Sequence, residues 1–286
     1  MRKRNLIEGR DTVLYRVDRL WEALELGRHR IICLVGAGGK TSLMFAMARE
    51  LAALGNHVIT STTTKIFEPS HKDTPFLLLR DEAEDILKTI PEVIDRYGHF
   101  TLADARLPGK KLKGISPELI DELETSDAID HIVIEADGAA RLPLKAPGEY
   151  EPVITSKTSL VVVVVGIDSI GIQLSEGHVF RPHIVSELTD LPMGEKVTIE
   201  AIAELIVHPR GMAKGAPPSS TILPFLNKVD IPDGLEKGKA LAERILERGY
   251  PRIRRVAIGH AIRDRAVVAV VIPKGDVRQP GSYERS

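Results

Sequence analysis

Ile31-Ile32-Cys33-Leu34-Val35-Gly36-Ala37-Gly38-Gly39-Lys40-Thr41-Ser42 is the stretch whose reading decides the fold. Five consecutive apolar residues ending in glycines fit a strand buried on both faces of a parallel sheet. Good helix formers follow from Ser42 to Leu54, and Gly55 stands where a C-cap belongs. His57-Val58-Ile59-Thr60-Ser61 then reads as a second strand, which completes a βαβ unit. The turn at its centre carries Gly-Lys-Thr but lacks the first glycine of G-x-x-x-x-G-K-[ST], since position 34 is Leu. What remains is the shorter cradle G-x-x-G-K-T from Gly36. Glycines at 36, 38 and 39 allow successive amides to point at one anion, and the helix adds its positive N-terminal end. In this reading Gly36, Ala37, Gly38, Gly39, Lys40, Thr41 and Ser42 bind a triphosphate. Lys40 sits on the β and γ phosphates, and the Thr41 hydroxyl ligates Mg²⁺.

The alternation continues outward. An amphipathic helix is expected over 12–26, and strands over 76–79, 100–103 (at an edge), 131–134, 160–165, 221–226, 253–258 and 267–272. Helices are expected over 82–96, 116–123, 198–207 and 235–248. The fold class is α/β, a P-loop NTPase-like, doubly wound, mainly parallel sheet with helices on both faces. A single domain is expected over 1–273. Long loops interrupt it at 138–156 and 208–220, and a polar tail follows at 274–286.

Two further strings fall at strand ends. Asn227-Lys228-Val229-Asp230 follows an apolar strand. An aspartate there accepts both hydrogen bonds of guanine's N1–H and exocyclic amine and opposes adenine's N1, so Asn227, Lys228 and Asp230 point to GTP over ATP. Glu135-Ala136-Asp137-Gly138 ends another strand; read as E-x-x-G it resembles the GTPases that serve metallocentre and cofactor insertion. A strand-end carboxylate beside a phosphate loop holds Mg²⁺ directly or through water, which makes Glu135 a metal candidate beside Thr41. Lys40, Glu135 and Asp137 are the catalytic candidates. For placing the attacking water, Asp137, Asp104 and the threonines of 62–64 stay open. Thr62, Thr63, Thr64 and Lys65 lie at the ligand end of the second strand, where they bind an anion or substrate or simply cap the chain. His178, Arg181 and His183 lack metal spacing and read as surface.

Composition narrows the classes. A net charge of −1 and 4% aromatics disfavour a nucleic-acid partner. The longest apolar run, Leu160 to Val165, is too short for a membrane span. Met1-Arg2-Lys3-Arg4 is basic without a following apolar region, and the single Cys33 permits no internal disulfide, so a cytoplasmic address is expected. Cys33 itself reads as a small core residue.

With these strings in view the chain resembles the YqeC-like family, accessory proteins of selenium-dependent molybdenum hydroxylases. The resemblance covers roughly residues 20–260. It rests on Val35–Thr41, on Ser61-Thr62-Thr63-Thr64-Lys65-Ile66, on Glu135–Ala139, on Arg141-Leu142-Pro143-Leu144-Lys145-Ala146-Pro147 and on Asn227–Asp230. The proline-bracketed Lys145 is the most specific of them. The resemblance implies a role in selenium-cofactor biosynthesis or insertion, with Arg141 and Lys145 facing substrate or a maturation partner protein. By analogy with metallocentre GTPases it implies a homodimer. The expected activity is NTP hydrolysis with Mg²⁺ and GTP or ATP. The alternative is an ATP-dependent kinase or ligase acting on a small cofactor precursor, since such ligases share the short cradle. A third is a nucleotide-binding scaffold without turnover.

Overall fold

The computed structural model describes residues 6–8, 11–261 and 267–276. The strands are β1 (Leu6–Glu8), β2 (Thr12–Tyr15), β3 (Ile31–Gly36), β4 (Val58–Thr62), β5 (Lys65–Phe67), β6 (Leu77–Leu79), β7 (His99–Ala103) and β8 (Ala105–Leu107). They continue with β9 (Lys111–Lys113), β10 (His131–Glu135), β11 (Leu144–Lys145), β12 (Leu160–Gly166), β13 (Val179–Phe180), β14 (Thr221–Asn227), β15 (Val256–Gly259) and β16 (Val267–Pro273). The helices are α1 (Leu20–Ala23), α2 (Lys40–Ala53), α3 (Ile86–Tyr97), α4 (Pro117–Leu123), α5 (Pro182–Thr189), α6 (Ile199–Val207) and α7 (Gly234–Glu247).

Among the described residues, eleven strands form the main sheet in the order β1-β2-β16-β15-β14-β12-β3-β10-β4-β7-β6. From β6 across to β15 every pairing is parallel, while β16, β2 and β1 close the other side antiparallel. The expected mainly parallel sheet is therefore present, with an antiparallel margin. The strand period of two explains the two cores. Ile32 and Leu34 of β3 face the α2 side with Leu43, Met44, Met47 and Leu51, whereas Ile31, Cys33 and Val35 face the opposite layer, which α3 to α7 cover. Buried on both faces, β3 and β12 carry unbroken apolar runs as parallel interior strands do.

Several expectations change. No continuous helix covers 12–26. Thr12-Val13-Leu14-Tyr15 pairs antiparallel with β16, where β-branched and aromatic residues find cross-strand partners, and helix is confined to Leu20–Ala23 and a 3₁₀ turn at Leu26–Arg28. The strand at 99–103 is not an edge, because β6 lies outside it. The strand expected from 253 begins at Val256, and the helix expected from 82 begins at Ile86 behind an Asp85 cap. A three-stranded sheet, β5-β9-β8, and helix α5 had not been foreseen. The basic start at 1–4 and the tail beyond 276 lie outside the described residues. Among the described residues, no helix is long and apolar enough to cross a membrane.

Candidate functional site

Strand β3 lies between β10 and β12, where the chain's route through the sheet reverses, and its C-terminal end opens at that switch point. The turn from Gly36 to Gly39 sits there with φ of 92° at Gly36, 84° at Gly38 and 122° at Gly39. Glycine is required for space as well as for angle. A Cβ at Gly38 would land on the backbone of Gly166 at the end of β12. The Ala37 amide donates to Val164 O at 2.9 Å, which stitches the loop to β12.

Lys40 opens α2 and is buried. Its ammonium donates to Gly36 O at 2.6 Å and stands 3.1 Å from Asp137 Oδ1 and 3.7 Å from Glu135 Oε1. Asp137 Oδ1 makes no hydrogen bond of good geometry despite that proximity, so this attraction is one of charge. Burial works against the Lys40 charge, but Asp137 and Glu135 outweigh it and hold its pKa above the ordinary value. Glu135 is the reverse case: burial raises its pKa, partly offset by Lys40 and Thr41. Alternation along β10 puts Val133 and Glu135 on the α2 face, and Thr41 Oγ1 donates to Glu135 Oε2 at 2.6 Å. Asp137 Oδ2 accepts the Gly36 amide at 3.1 Å. The three catalytic candidates and the phosphate loop therefore form one cluster.

The loop at 138–156 returns over this cluster. Pro143 O accepts the Gly166 amide at 3.2 Å, beside Gly38. Lys145, in β11, is fully buried and does not face a substrate in solvent, contrary to the expectation. It donates to Gly138 O at 2.6 Å and Glu151 Oε2 at 2.7 Å, and lies 3.0 Å from Asp137 Oδ2. Arg181 corrects a second expectation. It is half-buried, stacks on Phe180 and reaches Glu151 Oε2 at 2.6 Å, which joins it to the Lys145 network. Burial raises the Glu151 pKa, yet Arg181 and Lys145 overcome it and bring the carboxyl down to about 2. No local motif marks Arg181; only the β11–β13 pairing brings it beside Glu151.

Other candidates take different places. Asn227 is buried with both ends of its amide used: Nδ2 donates to Gly38 O at 2.7 Å, and Oδ1 accepts the Ala261 amide at 2.9 Å. It braces the phosphate loop, where the sequence had set it against the base. Lys228 pairs with Asp168 at 2.6 Å, and Asp230 is exposed just beyond the strand. The hydroxyls of Thr62 and Thr63 donate to Glu135 O at 2.7 Å and Val153 O at 2.9 Å, and Thr64 lies 3.3 Å from Thr62. The Thr62 and Thr63 hydroxyls thus tie main chain together. Lys65 is exposed, and Arg141 (φ 63°) stacks on Phe67. Asp104 is paired with Arg80 and Lys113. His178 bonds Ser175 at 2.9 Å and His183 is exposed, as a surface reading expects. Cys33 is buried against Thr158.

These features define a P-loop α/β protein. The chain belongs to the YqeC family: the family model described as YqeC protein matches residues 32–183. The uncharacterized protein YqeC of Escherichia coli (strain K12) is 34% identical over 215 residues, which is 74% of this chain and 82% of that protein. The crystal structure of FlhF complexed with GTP/Mg(2+) aligns over 86% of this chain and 70% of that one, at 12% identity and a TM-score of 0.32, a likeness too loose to bear on the site.

Proposed function

We propose that this protein binds a nucleoside triphosphate, GTP in preference to ATP, and hydrolyses it in the course of maturing a selenium- or molybdenum-dependent hydroxylase. One observation carries the nucleotide reading. The Asn227 side chain donates to Gly38 O, so the strand end bearing Lys228 and Asp230 is tied to the phosphate loop itself. A single ligand with a base at one end and phosphates at the other matches that arrangement. The amides of Gly38 and Gly39, with Lys40, receive the β and γ phosphates, whereas those of Gly36 and Ala37, also expected in the cradle, are taken by Asp137 and Val164 O. Asp230 accepts the guanine hydrogen bonds, and the Lys228 stem lies along the base.

Thr41 Oγ1 and the Glu135 carboxylate, 2.6 Å apart, offer two hard oxygens beside the cradle. Mg²⁺ needs one or two such protein ligands and completes its shell with water and phosphate, so these residues fit it. When bound there it neutralises charge on the transferred phosphoryl oxygens. Asp137, held by the Gly36 amide and two lysines, positions Lys40. The exposed Lys65 and Arg141 form the face presented to the maturation partner. The cofactor role rests on family resemblance.

Calorimetric titration of the purified protein with GTP and with ATP, each with Mg²⁺, tests the reading. Tight ATP binding with indifference to GTP would overturn the base assignment. Asp230→Asn should shift preference from guanine toward xanthine nucleotides; an unchanged preference removes Asp230 from base recognition. Lys40→Ala should lose phosphate affinity worth about 1.5–3 kcal/mol per charge-assisted contact.

A further inference from the structure

We propose that Lys145 is the cation that takes over Asp137 when a phosphate draws Lys40 away, so that loading the cradle exchanges ion-pair partners inside the protein. The inference deepens the nucleotide reading and rests on it.

Five charges of alternating sign run from the cradle through the interior to a half-buried end: Lys40, Asp137, Lys145, Glu151 and Arg181. The two at its centre are the most buried, Lys145 at 0% and Asp137 at 1% side-chain exposure. In the described structure Asp137 is shared. Lys40 stands on one oxygen and Lys145 on the other, which also accepts the Gly36 amide. The two ion pairs are of like length, 3.1 Å for Lys40 and 3.0 Å for Lys145, but only Lys40 lies at the cradle, where its hydrogen bond goes to Gly36 O. A multiply charged phosphate competes well for such an ammonium.

Taking Lys40 away from an otherwise unpaired buried carboxylate would be expensive, because breaking a buried pair leaves an uncompensated charge in low dielectric. Lys145 removes that obstacle. It cannot follow Lys40 toward the ligand, since its own protons are also bound by Gly138 O and Glu151, and Arg181 in turn holds Glu151. A lysine at this position keeps Asp137 paired when Lys40 is engaged elsewhere, which an apolar residue of similar length would not do.

The test is a double-mutant cycle read by equilibrium binding of Mg²⁺·GTP and of inorganic tripolyphosphate, with folding checked by circular dichroism. Lys145→Met should weaken both ligands by on the order of tenfold or more, because Lys40 then cannot leave without stranding Asp137. With the carboxylate already removed in Asp137→Asn, adding Lys145→Met should change affinity by less than about twofold, since nothing is left to strand. A folded Lys145→Met protein with wild-type affinity would overturn the exchange. So would an equal loss from Lys145→Met in both backgrounds, which marks a merely structural lysine. If Lys145→Met alone does not fold, the comparison within the Asp137→Asn background decides by the same criterion. A wild-type protein that binds neither ligand removes the reading of the site, and the exchange with it. Wild-type binding that is insensitive to Lys145 removes the exchange alone.

Discussion

Asn227→Ala tests whether this side chain reads a base or braces a loop. Asn227 is 3% exposed and closes two buried hydrogen bonds, to Gly38 O at 2.7 Å and from the Ala261 amide at 2.9 Å. Truncation strands one buried carbonyl and one buried amide. Each stranded group costs about 1–3 kcal/mol, which sums to roughly 2–6 kcal/mol if no water enters. Against a typical total stability of about 5–15 kcal/mol, that loss should appear plainly as a lower urea midpoint with unchanged slope. The same change frees the Gly38 carbonyl to turn, so the loop amides no longer converge on one point. About 1.4 kcal/mol of lost alignment is a tenfold weakening. Because the loop meets only phosphate, GTP, ATP and tripolyphosphate should weaken together. Calorimetry on the three ligands separates the two roles. A selective loss of GTP affinity, with the other two unaffected and the urea midpoint unmoved, would refute the bracing role and return Asn227 to the base.

Three more outcomes follow from the site and its surroundings. Thr41→Val should leave metal-free binding of GTP nearly unchanged and cut the gain from Mg²⁺ by about tenfold; an equal Mg²⁺ effect in both proteins would release Thr41 from the metal. Burial, aided by Arg49, brings the His99 pKa down to about 4. Between the unfolded value of about 6.5 and that folded value the unfolded chain binds a proton that the folded chain does not, so stability falls as pH drops. Urea unfolding should show a His99 contribution on the order of 2 kcal/mol lost between pH 7 and pH 5, absent in His99→Gln; parallel pH profiles for the two proteins would contradict it. Cys33 is buried, which pushes its thiol up to about 11, so iodoacetamide should label it only on unfolding; labelling of native protein within minutes would contradict its place in the core.

Much of the architecture was legible because its causes are local. A glycine turn between an apolar run and a helix former run admits few other backbones, and β3, the loop and α2 stand where that grammar puts them. The same holds for Thr198 capping α6 and Ser116 capping α4, each of which accepts an amide three residues on. Reading failed where a pattern was satisfied by a distant partner. Thr12–Tyr15 is compatible with a helical stripe, and only the arrival of β16 makes it a strand. Lys145 looked like a surface specificity residue because charged loop residues are usually solvated; its burial depends on β11 meeting β13, 35 residues further along in the register Leu144 with Val179.

By itself, then, the sequence determined which backbone segments can be strand, loop or helix and which side chains are chemically able to hold phosphate, metal or base, because propensity, periodicity and glycine's freedom act within a few residues. The tertiary structure alone decided which of those side chains meet. Asn227 reaches Gly38 across 189 residues, and Glu135 meets Thr41 across 94, because parallel strands align their C-terminal ends at one edge of the sheet. The charges of Asp137, Lys145, Glu151 and Arg181 become a single network only when that edge is roofed by the loop at 138–156. Burial then turns ordinary surface residues into strongly coupled ones, since an ion pair gains its strength from the water that the fold excludes.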